Sequence, residues 1–523
     1  MKIKQIATAV SAVLLSGSAF ALSPTTVPDI EVFMSGATAQ DKGIAALFEN
    51  ICITDASGTP IDLDVFEDDS AKPGKAHTAY FCTVDNSKVV GGFADGLNKK
   101  VLFHKRSKGG SAQGVNPVID EVAINAMNIN NGNCVAPVGT EKFWRCDITE
   151  FAADGVTRTG NLNLVVSDAG VSDVNPEMFV GANTPAGNNP VDASAVGSKM
   201  VVKAAAAVVF GVPVTTGLRD ALQEAQFPGN TVCTTYTKDS TGALLPALQQ
   251  PRESQDCMPS LSRNQVASLI SGKIKNWSAF KVVSGSVSTA LTAVASTVPT
   301  STKVTYCRRV NGSGTQAQQN AKFLNYPCTG GALPPAAAPG SPFFGPVVAE
   351  NEGSGDESLC LDDFNNGSNA STKNPGLITA WALGTQSTEK NASLKFGYRF
   401  VKIDGVAPTL ENAANGKYLD WVEQTFQWRV PAFNGPSGDK LVVVETIASQ
   451  ASRPTTIATV LNPKFVHTWG QAGYLAVSTN FAPSATGILD LTAPVIPYTH
   501  APKGKLDDCV VPVVNNIYQN SQL

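Results

Sequence analysis

The residues of this chain best suited to chemistry are hydrogen-bond donors rather than nucleophiles. The clearest group is Arg309-Val310-Asn311-Gly312-Ser313-Gly314-Thr315. It follows the alternation Lys303-Val304-Thr305-Tyr306, which predicts a strand, and runs into 316–324, which predicts a helix. At such a junction the first backbone N–H groups have no intrahelical partner. The helix dipole adds partial positive charge there. Ser313 and Thr315 supply hydroxyls and N–H groups, Gly314 a bare N–H, and Arg309 a planar cationic fork. This combination suits a tetrahedral anion. The same stretch also describes an ordinary capped helix with a surface arginine, because short Gly/Ser motifs carry little specificity.

Two more junctions have the same form. Glu31-Val32-Phe33-Met34 predicts a strand, Ser35-Gly36-Ala37-Thr38 a turn, and Ile44, Leu47, Phe48 and Ile51 a helix. Thr38 stands at the expected N-cap, followed by the N–H of Ala39. A plain cap is the alternative. Lys100-Val101-Leu102-Phe103-His104 is the next predicted strand. It leads through Ser107 and Gly109-Gly110-Ser111 into a helix carrying Val115, Val118, Ile119 and Val122. Lys105, Arg106 and Lys108 also fit a solvated basic patch. Finally, 161–166 reads as a strand ending in Ser167-Asp168. An Asp at the carboxyl end of a strand is placed for ligand contact in an open α/β sheet. An Asx turn or helix cap is the other option.

The elements that must position these residues alternate between strand and helix, so the class is α/β. The 523 residues suggest two or more domains, and 43% apolar content is ample for their cores. A net charge of −4 with no basic excess argues against nucleic acid as a partner. The sequence contains no G-x-S-x-G elbow and no Ser/His/Asp or metal-ligand spacing, and its four histidines are scattered. We therefore expect no enzyme activity, no metal and no other cofactor. Residues 1–21 read as a secretory signal. Lys2 and Lys4 begin it, 6–15 form its apolar part, and Ser18-Ala19-Phe20-Ala21 its cleavage site. No later stretch reaches membrane-spanning length and no cysteine follows the cleavage site. The expected location is periplasmic or secreted, with no lipid anchor.

Ten cysteines fit an oxidising compartment. Neighbour pairing is the simplest expectation: 52–82, 134–146, 233–257, 307–328 and 360–509. Sequence alone cannot fix connectivity. The run 203–214, uncharged after Lys203, predicts a buried strand that crosses between domains. A helix capped by Ser262 is expected, then strands at 375–383 and 395–403, a helix at 412–422 and a strand at 474–478. From Val430 the pattern is mixed.

Taken together, these segments resemble the phosphate-binding periplasmic proteins of phosphate ABC transporters. Ser35-Gly36-Ala37-Thr38 resembles that family's opening G-A-T turn. Arg106-Ser107-Lys108-Gly109-Gly110 is similar to its G-S-x-G-G turn, and Val166-Ser167-Asp168-Ala169 to its G-A-S-D segment. Leu261–Trp277 and Arg308-Arg309-Val310-Asn311-Gly312-Ser313-Gly314-Thr315 resemble its L-x-x-x-x-[LV]-x-x-I-[FY]-x-G-K-I-x-x-W and R-R-x-D-G-S-G-T pieces. Gly353-Ser354-Gly355-Asp356 and 376–381 follow in order. The resemblance implies a two-lobed type II binding-protein fold with mixed sheets, hinge strands and disulfide-bracketed insertions. Lobe 1 would be 22–205 plus 400–523 and lobe 2 would be 206–399, with hinges near 206–209 and 395–403. The implied phosphate ligands are Thr38, Ala39, Ser107, Asp168, Arg309, Ser313, Gly314 and Thr315. Asp168 would accept the proton that phosphate keeps and sulfate lacks. The implied partners are inorganic phosphate and an ABC permease, and a monomer is expected. Asn311 stands where the family has Asp, which should make the site more electropositive. A surface or matrix protein reusing the fold, or a secreted phosphatase, are the alternatives.

Overall fold

The structure is a computed structural model that describes residues 22–71, 74–130, 132–284, 287–337 and 345–515. The expected signal, 1–21, lies outside these residues. The fold is mixed α/β, organised around two sheets of twelve and five strands.

In the larger sheet, β1 (Ile30–Gly36) lies between β2 (Lys99–Arg106) and β3 (Ala169–Ser172). Both neighbours run parallel to it, with Ser35 opposite Arg106 and Gly36 opposite Val171. Parallel strands end at the same edge of a sheet, so the turns that follow them meet there. Helix α1 (Asp41–Ile51) leaves the turn after β1 and buries Ile44, Leu47, Phe48 and Ile51, the four residues of its helical spacing.

The chain crosses between the sheets on β4 (Met200–Gly211), which continues after Val212 into β5 (Pro213–Thr215) of the smaller sheet. Side chains alternate faces along a strand. Ala206, Val208 and Phe210 of β4 therefore enter one core, and Ala207 and Val209 the other. Burial on both faces explains the uncharged run that marked this segment. In the smaller sheet, β6 (Ser301–Arg309) lies between β7 (Val347–Asn351) and β8 (Ala380–Leu383), parallel to both. It makes a second common edge. Helix α2 (Gly314–Leu324) follows β6, and α3 (Ser354–Asn366) follows β7.

Several expectations need correction. The strand read at 161–166 is Leu162–Val165, and among the described residues it pairs only with Ile124–Met127, in a separate two-stranded ribbon. The sheet strand is β3, which begins after Asp168. The segment 395–403, implied as a hinge strand, holds two short strands. Its β9 (Tyr398–Phe400) pairs with β5, and Lys402–Ile403 with Ser260–Leu261. Along most of its length β4 pairs with β10 (Trp421–Arg429), antiparallel to it with a register shift between Ala204 and Ala207. The helix expected at 412–422 is only Leu410–Ala414. Helix α4 (Gly438–Ser452) was hidden by its run Leu441-Val442-Val443-Val444. β-Branched residues favour strands, yet Val443, Val444, Ile447, Ala448 and Ala451 pack one helical face into the core.

Five disulfides form. Cys52–Cys82, Cys134–Cys146 and Cys233–Cys257 are the neighbour pairs expected. The other two are Cys307–Cys360 and Cys328–Cys509, not 307–328 and 360–509. Strand alternation gives the reason. Tyr306 of β6 faces α2, bonding Gln319 Oε1 at 2.5 Å. Cys307 therefore faces the opposite side, where α3 brings Cys360 into the same small core. Among the described residues no helix is long and apolar enough to cross a membrane.

Candidate functional site

The two common edges face each other. Arg309, the last residue of β6, is 1% exposed. Its Nη2 donates to Thr38 Oγ1 at 3.1 Å, across to the turn after β1, and to the Glu352 carbonyl at 2.7 Å. Its Nε donates to the Asn351 carbonyl at 3.3 Å. Its Nη1 is buried and, among the described residues, has no hydrogen-bond partner. Burial is the largest influence on the guanidinium and lowers its pKa; the carboxylates of Glu357, Asp173, Asp356 and Asp41 oppose this.

Beyond Gly312, which adopts a φ of 90°, Ser313 caps α2 by accepting from the Gln316 N–H at 3.3 Å. Its own N–H goes to the Val310 carbonyl. Gly314 must be glycine: a Cβ there would lie 2.4 Å from Ser111 Oγ and 2.9 Å from Asp173 Cβ. Thr315 Oγ1 donates to Asp173 Oδ2 at 2.9 Å. Asp173 directly follows β3. Its N–H donates to Ser111 Oγ at 3.2 Å, and Gln40 Nε2 reaches its Oδ1 at 3.5 Å. It is 1% exposed, and burial raises its pKa above the ordinary carboxylate value.

Thr38, Arg309, Ser313, Gly314 and Thr315 therefore come together, and Ala39 lies in the same buried turn as Thr38. Thr38 is not the N-cap of α1; Gln40 holds that position and makes no side-chain cap. Ser107 stands at the rim, where its hydroxyl accepts from Lys105 Nζ at 2.8 Å and donates to Asp41 at 2.6 Å. Its N–H is taken by the Ala76 carbonyl. Asp168 is elsewhere. It precedes β3, accepts from the Phe33 N–H at 2.9 Å and pairs with Lys440 at 3.1 Å. The carboxylate that joins the cluster is Asp173, five residues on.

The residues that sequence reasoning missed had a signal. Gly170-Val171-Ser172-Asp173 offers a second Ser-Asp pair with the spacing of G-A-S-D, and it sits at the strand end that 168 was expected to occupy. Likewise Ser111, after Gly109-Gly110, enters the cluster that Ser107 only borders. The Asn311 departure also reads differently in three dimensions. Its side chain accepts from Arg308, not Arg309. Glu357, in the first turn of α3, is the carboxylate with the largest influence on Arg309. It is fully buried, and burial pushes its pKa up to about 8, against the influence of Arg309 and the Thr385 N–H.

The cluster opens on one side into a cavity of about 180 Å³ lined by Thr38, Ser107, Lys108, Glu352 and Gly355, among others. A neighbouring groove of about 420 Å³ shares Thr38 and Gly355 with it. A further cavity of about 690 Å³, between Asn175, Met200, Ser449 and Lys505, is lined by neither Arg309 nor Thr38 and lacks the ring of donors. The donors at the cluster (guanidinium, hydroxyls and the N–H groups opening α2) can replace the hydration of an anion. Asp173 can accept a proton from it, while Asp41 and Asp356 line the cavity beside the cluster.

No protein-family model matches the chain, and no curated protein matches by sequence. Among solved structures it is similar to a phosphate ABC transporter substrate-binding protein with bound phosphate from Clostridium perfringens, at 12% identity and a TM-score of 0.36, over 80% of this chain and 92% of that one. It is also similar to PstS from Borrelia burgdorferi, at 10% identity and a TM-score of 0.28 over 80% and 92%. An ABC-type phosphate transport receptor from Vibrio cholerae matches at 14% and 0.25 over 54% and 79%.

Proposed function

We propose that this is a solute-binding protein that holds inorganic phosphate between two lobes, outside the cytoplasm, without turning it over. Its delivery partner would be an ABC permease. The lobes would divide at β4 and β10, each lobe contributing one parallel edge to the site. The observation that carries this reading is Arg309 Nη1, a buried cationic donor with no partner, inside a ring of further donors. An unsatisfied buried donor is costly, and a bound anion removes that cost.

The chemistry follows from the ring. Arg309, the N–H groups of Gly314 and Thr315, and the hydroxyls of Thr38, Ser111 and Thr315 donate to phosphate oxygens. Ser107 and the Ala39 N–H complete the rim. Thr315 transfers its hydroxyl bond from Asp173 to the anion. Asp173 then accepts the proton that phosphate retains at neutral pH. Sulfate has none to offer, and it meets a repulsive, unpaired contact.

Calorimetric titration tests this. The wild type should bind phosphate and reject sulfate, and Asp173→Asn should bind both. Equal affinity of the wild type for the two anions, or binding of neither, would sink the proposal.

A further inference from the structure

The turn that enters helix α2, the helix itself and the residues just beyond it are all tied to residues 182–183 by contacts outside the ring of donors. Asn320 Nδ2 donates to Asn183 Oδ1 at 2.8 Å, and the Gly312 N–H donates to the Asn183 carbonyl at 2.9 Å. Tyr326 accepts from the Ala182 N–H at 2.5 Å. Residues 174–183 belong to the larger sheet's core through Val174, Met178 and Phe179. The C-terminal segment closes over this contact. Asp508 and Asn175 exchange two bonds, at 2.7 and 3.1 Å, and Cys509 is bonded to Cys328 just beyond α2.

Beside the disulfide lies a buried charged group. Lys322 of α2 reaches His500 Nε2 at 2.7 Å, and His500 Nδ1 reaches Glu423 Oε2 of β10 at 2.5 Å. Thr499 and the His500 N–H occupy Glu423 Oε1. Glu423, His500 and Asp508 could in principle hold a metal ion. The lysine ammonium already supplies the cation, however, and the glutamate's acceptors are taken. The group acts as a clasp between α2 and the C-terminal segment.

The opposite side of the site is built differently. There the two halves approach at glycines: a Cβ on Gly74 would lie 3.1 Å from Gly355 Cα. The two cavities beside the site share these same residues.

We infer that the C-terminal segment latches α2 to the first lobe, so that the cleft opens only between Gly74–Lys75 and Ser354–Gly355. The hinge then swings about the latched end, and a ligand passes on the glycine side. A cross-link removes most of the freedom of the segments it joins, so motion concentrates on the glycine side, where the Arg309–Thr38 hydrogen bond rather than a covalent bond spans the gap. The latch needs only the fold; its ligand readout alone rests on the phosphate reading.

Hydrogen exchange on the full chain in phosphate-free buffer tests it, comparing wild type with the Cys328→Ser/Cys509→Ser double variant. The amides of Gly312, Ala182 and the second half of α2 should exchange about tenfold faster in the variant, while those of β1 and β2 are unchanged. Rates within about twofold of wild type would overturn the latch. Cys134→Ser/Cys146→Ser, at the far edge of the sheet, should leave α2 unaffected; an equal effect there would also overturn it. Should the double variant not fold, Lys322→Met keeps the disulfide and should still speed exchange about threefold, and no change would overturn the proposal. Release of radiolabelled phosphate should likewise be about tenfold faster from the double variant. A wild type that binds no phosphate would remove the function proposed above and leave the exchange result to decide the latch.

Discussion

Two buried arginines, Arg219 and Arg309, are 2% and 1% exposed, and they are bonded in opposite ways. Arg219 meets carboxylates on every side of its fork. Asp220 accepts at 2.7 Å and Glu253 at 3.0 and 3.1 Å, while Arg399 supports Glu253 from behind at 2.9 Å. Burial pulls its pKa down, but Asp220 and Glu253 outweigh it and leave the pKa raised. Arg309 is bonded to one hydroxyl and two backbone carbonyls, with Nη1 idle, and its pKa is lowered. A saturated arginine stabilises a fold; on the function proposed above, an unsaturated one held rigid by neutral acceptors waits for an anion that comes and goes.

The largest expected effect separates these roles. Arg309→Met should weaken phosphate binding by about 10³-fold, because the loss of a charge-assisted, dehydrated pair costs roughly 3–5 kcal/mol. Its melting temperature should hardly fall. Arg219→Met should do the reverse: binding intact, and stability reduced by about 3 kcal/mol as Glu253 and Asp220 lose a buried partner. Calorimetric titration and chemical denaturation of both variants decide. If both lose stability and both keep binding, the contrast fails.

Gly314→Ala comes next. The added methyl would press on Ser111 Oγ and Asp173. It should weaken binding by about 10–100-fold through a displaced acceptor and a shifted α2 start, with a stability cost near 1–3 kcal/mol. Gly197→Ala, at a site where a Cβ meets nothing, is the control. Equal phosphate affinity in both variants would show that the α2 start takes no part in binding.

The fold was legible because apolar periodicity marks α1 and β6 and an uncharged run marks β4. Their apolar spacing is set by burial, which sequence records directly. Most of the candidate site was legible for a similar reason: Gly312, Ser313, Gly314 and Thr315 must fit a sharp turn and a helix start, and few residue types can. What failed were choices between near-identical local alternatives. Ser167-Asp168 and Ser172-Asp173 look alike, and only strand pairing with β1 says which pair ends a sheet strand. Disulfides 307–360 and 328–509 depend on which face of β6 each helix covers, a fact of tertiary packing. Glu357 stands in the helix entry at 352–357, but its influence on Arg309 comes from burial beside it, which sequence does not record.

A smaller effect concerns Glu357 and pH. Its folded pKa of about 8 lies above the ordinary 4.5. A raised folded pKa means the folded state binds the extra proton. The associated stability is complete below 4.5 and is lost as pH rises through 8. Glu357→Gln, neutral throughout, should flatten that decline by roughly 1–3 kcal/mol between pH 5 and 8. Gln can still accept the Thr385 N–H. A decline should remain, because Asp508 is also pushed up to about 8 by burial. Urea midpoints across this pH range measure it; identical slopes for the two proteins would mean Glu357 is ionised in the fold.

The smallest effect is the sharpest test of which carboxylate belongs to the site. Asp168 is partly exposed and tied to Lys440, itself more than a third exposed. Such a pair contributes at most about 1 kcal/mol. Asp168→Asn keeps an oxygen for the Phe33 N–H, so phosphate and sulfate titrations should match wild type within about twofold. Asp173→Asn should change sulfate binding alone. Because burial already raises the pKa of Asp173, the wild type should also lose its rejection of sulfate as pH falls and this carboxyl becomes protonated and able to donate. If Asp168→Asn instead admits sulfate while Asp173→Asn does not, the ring of donors around Arg309 has been assigned the wrong acceptor.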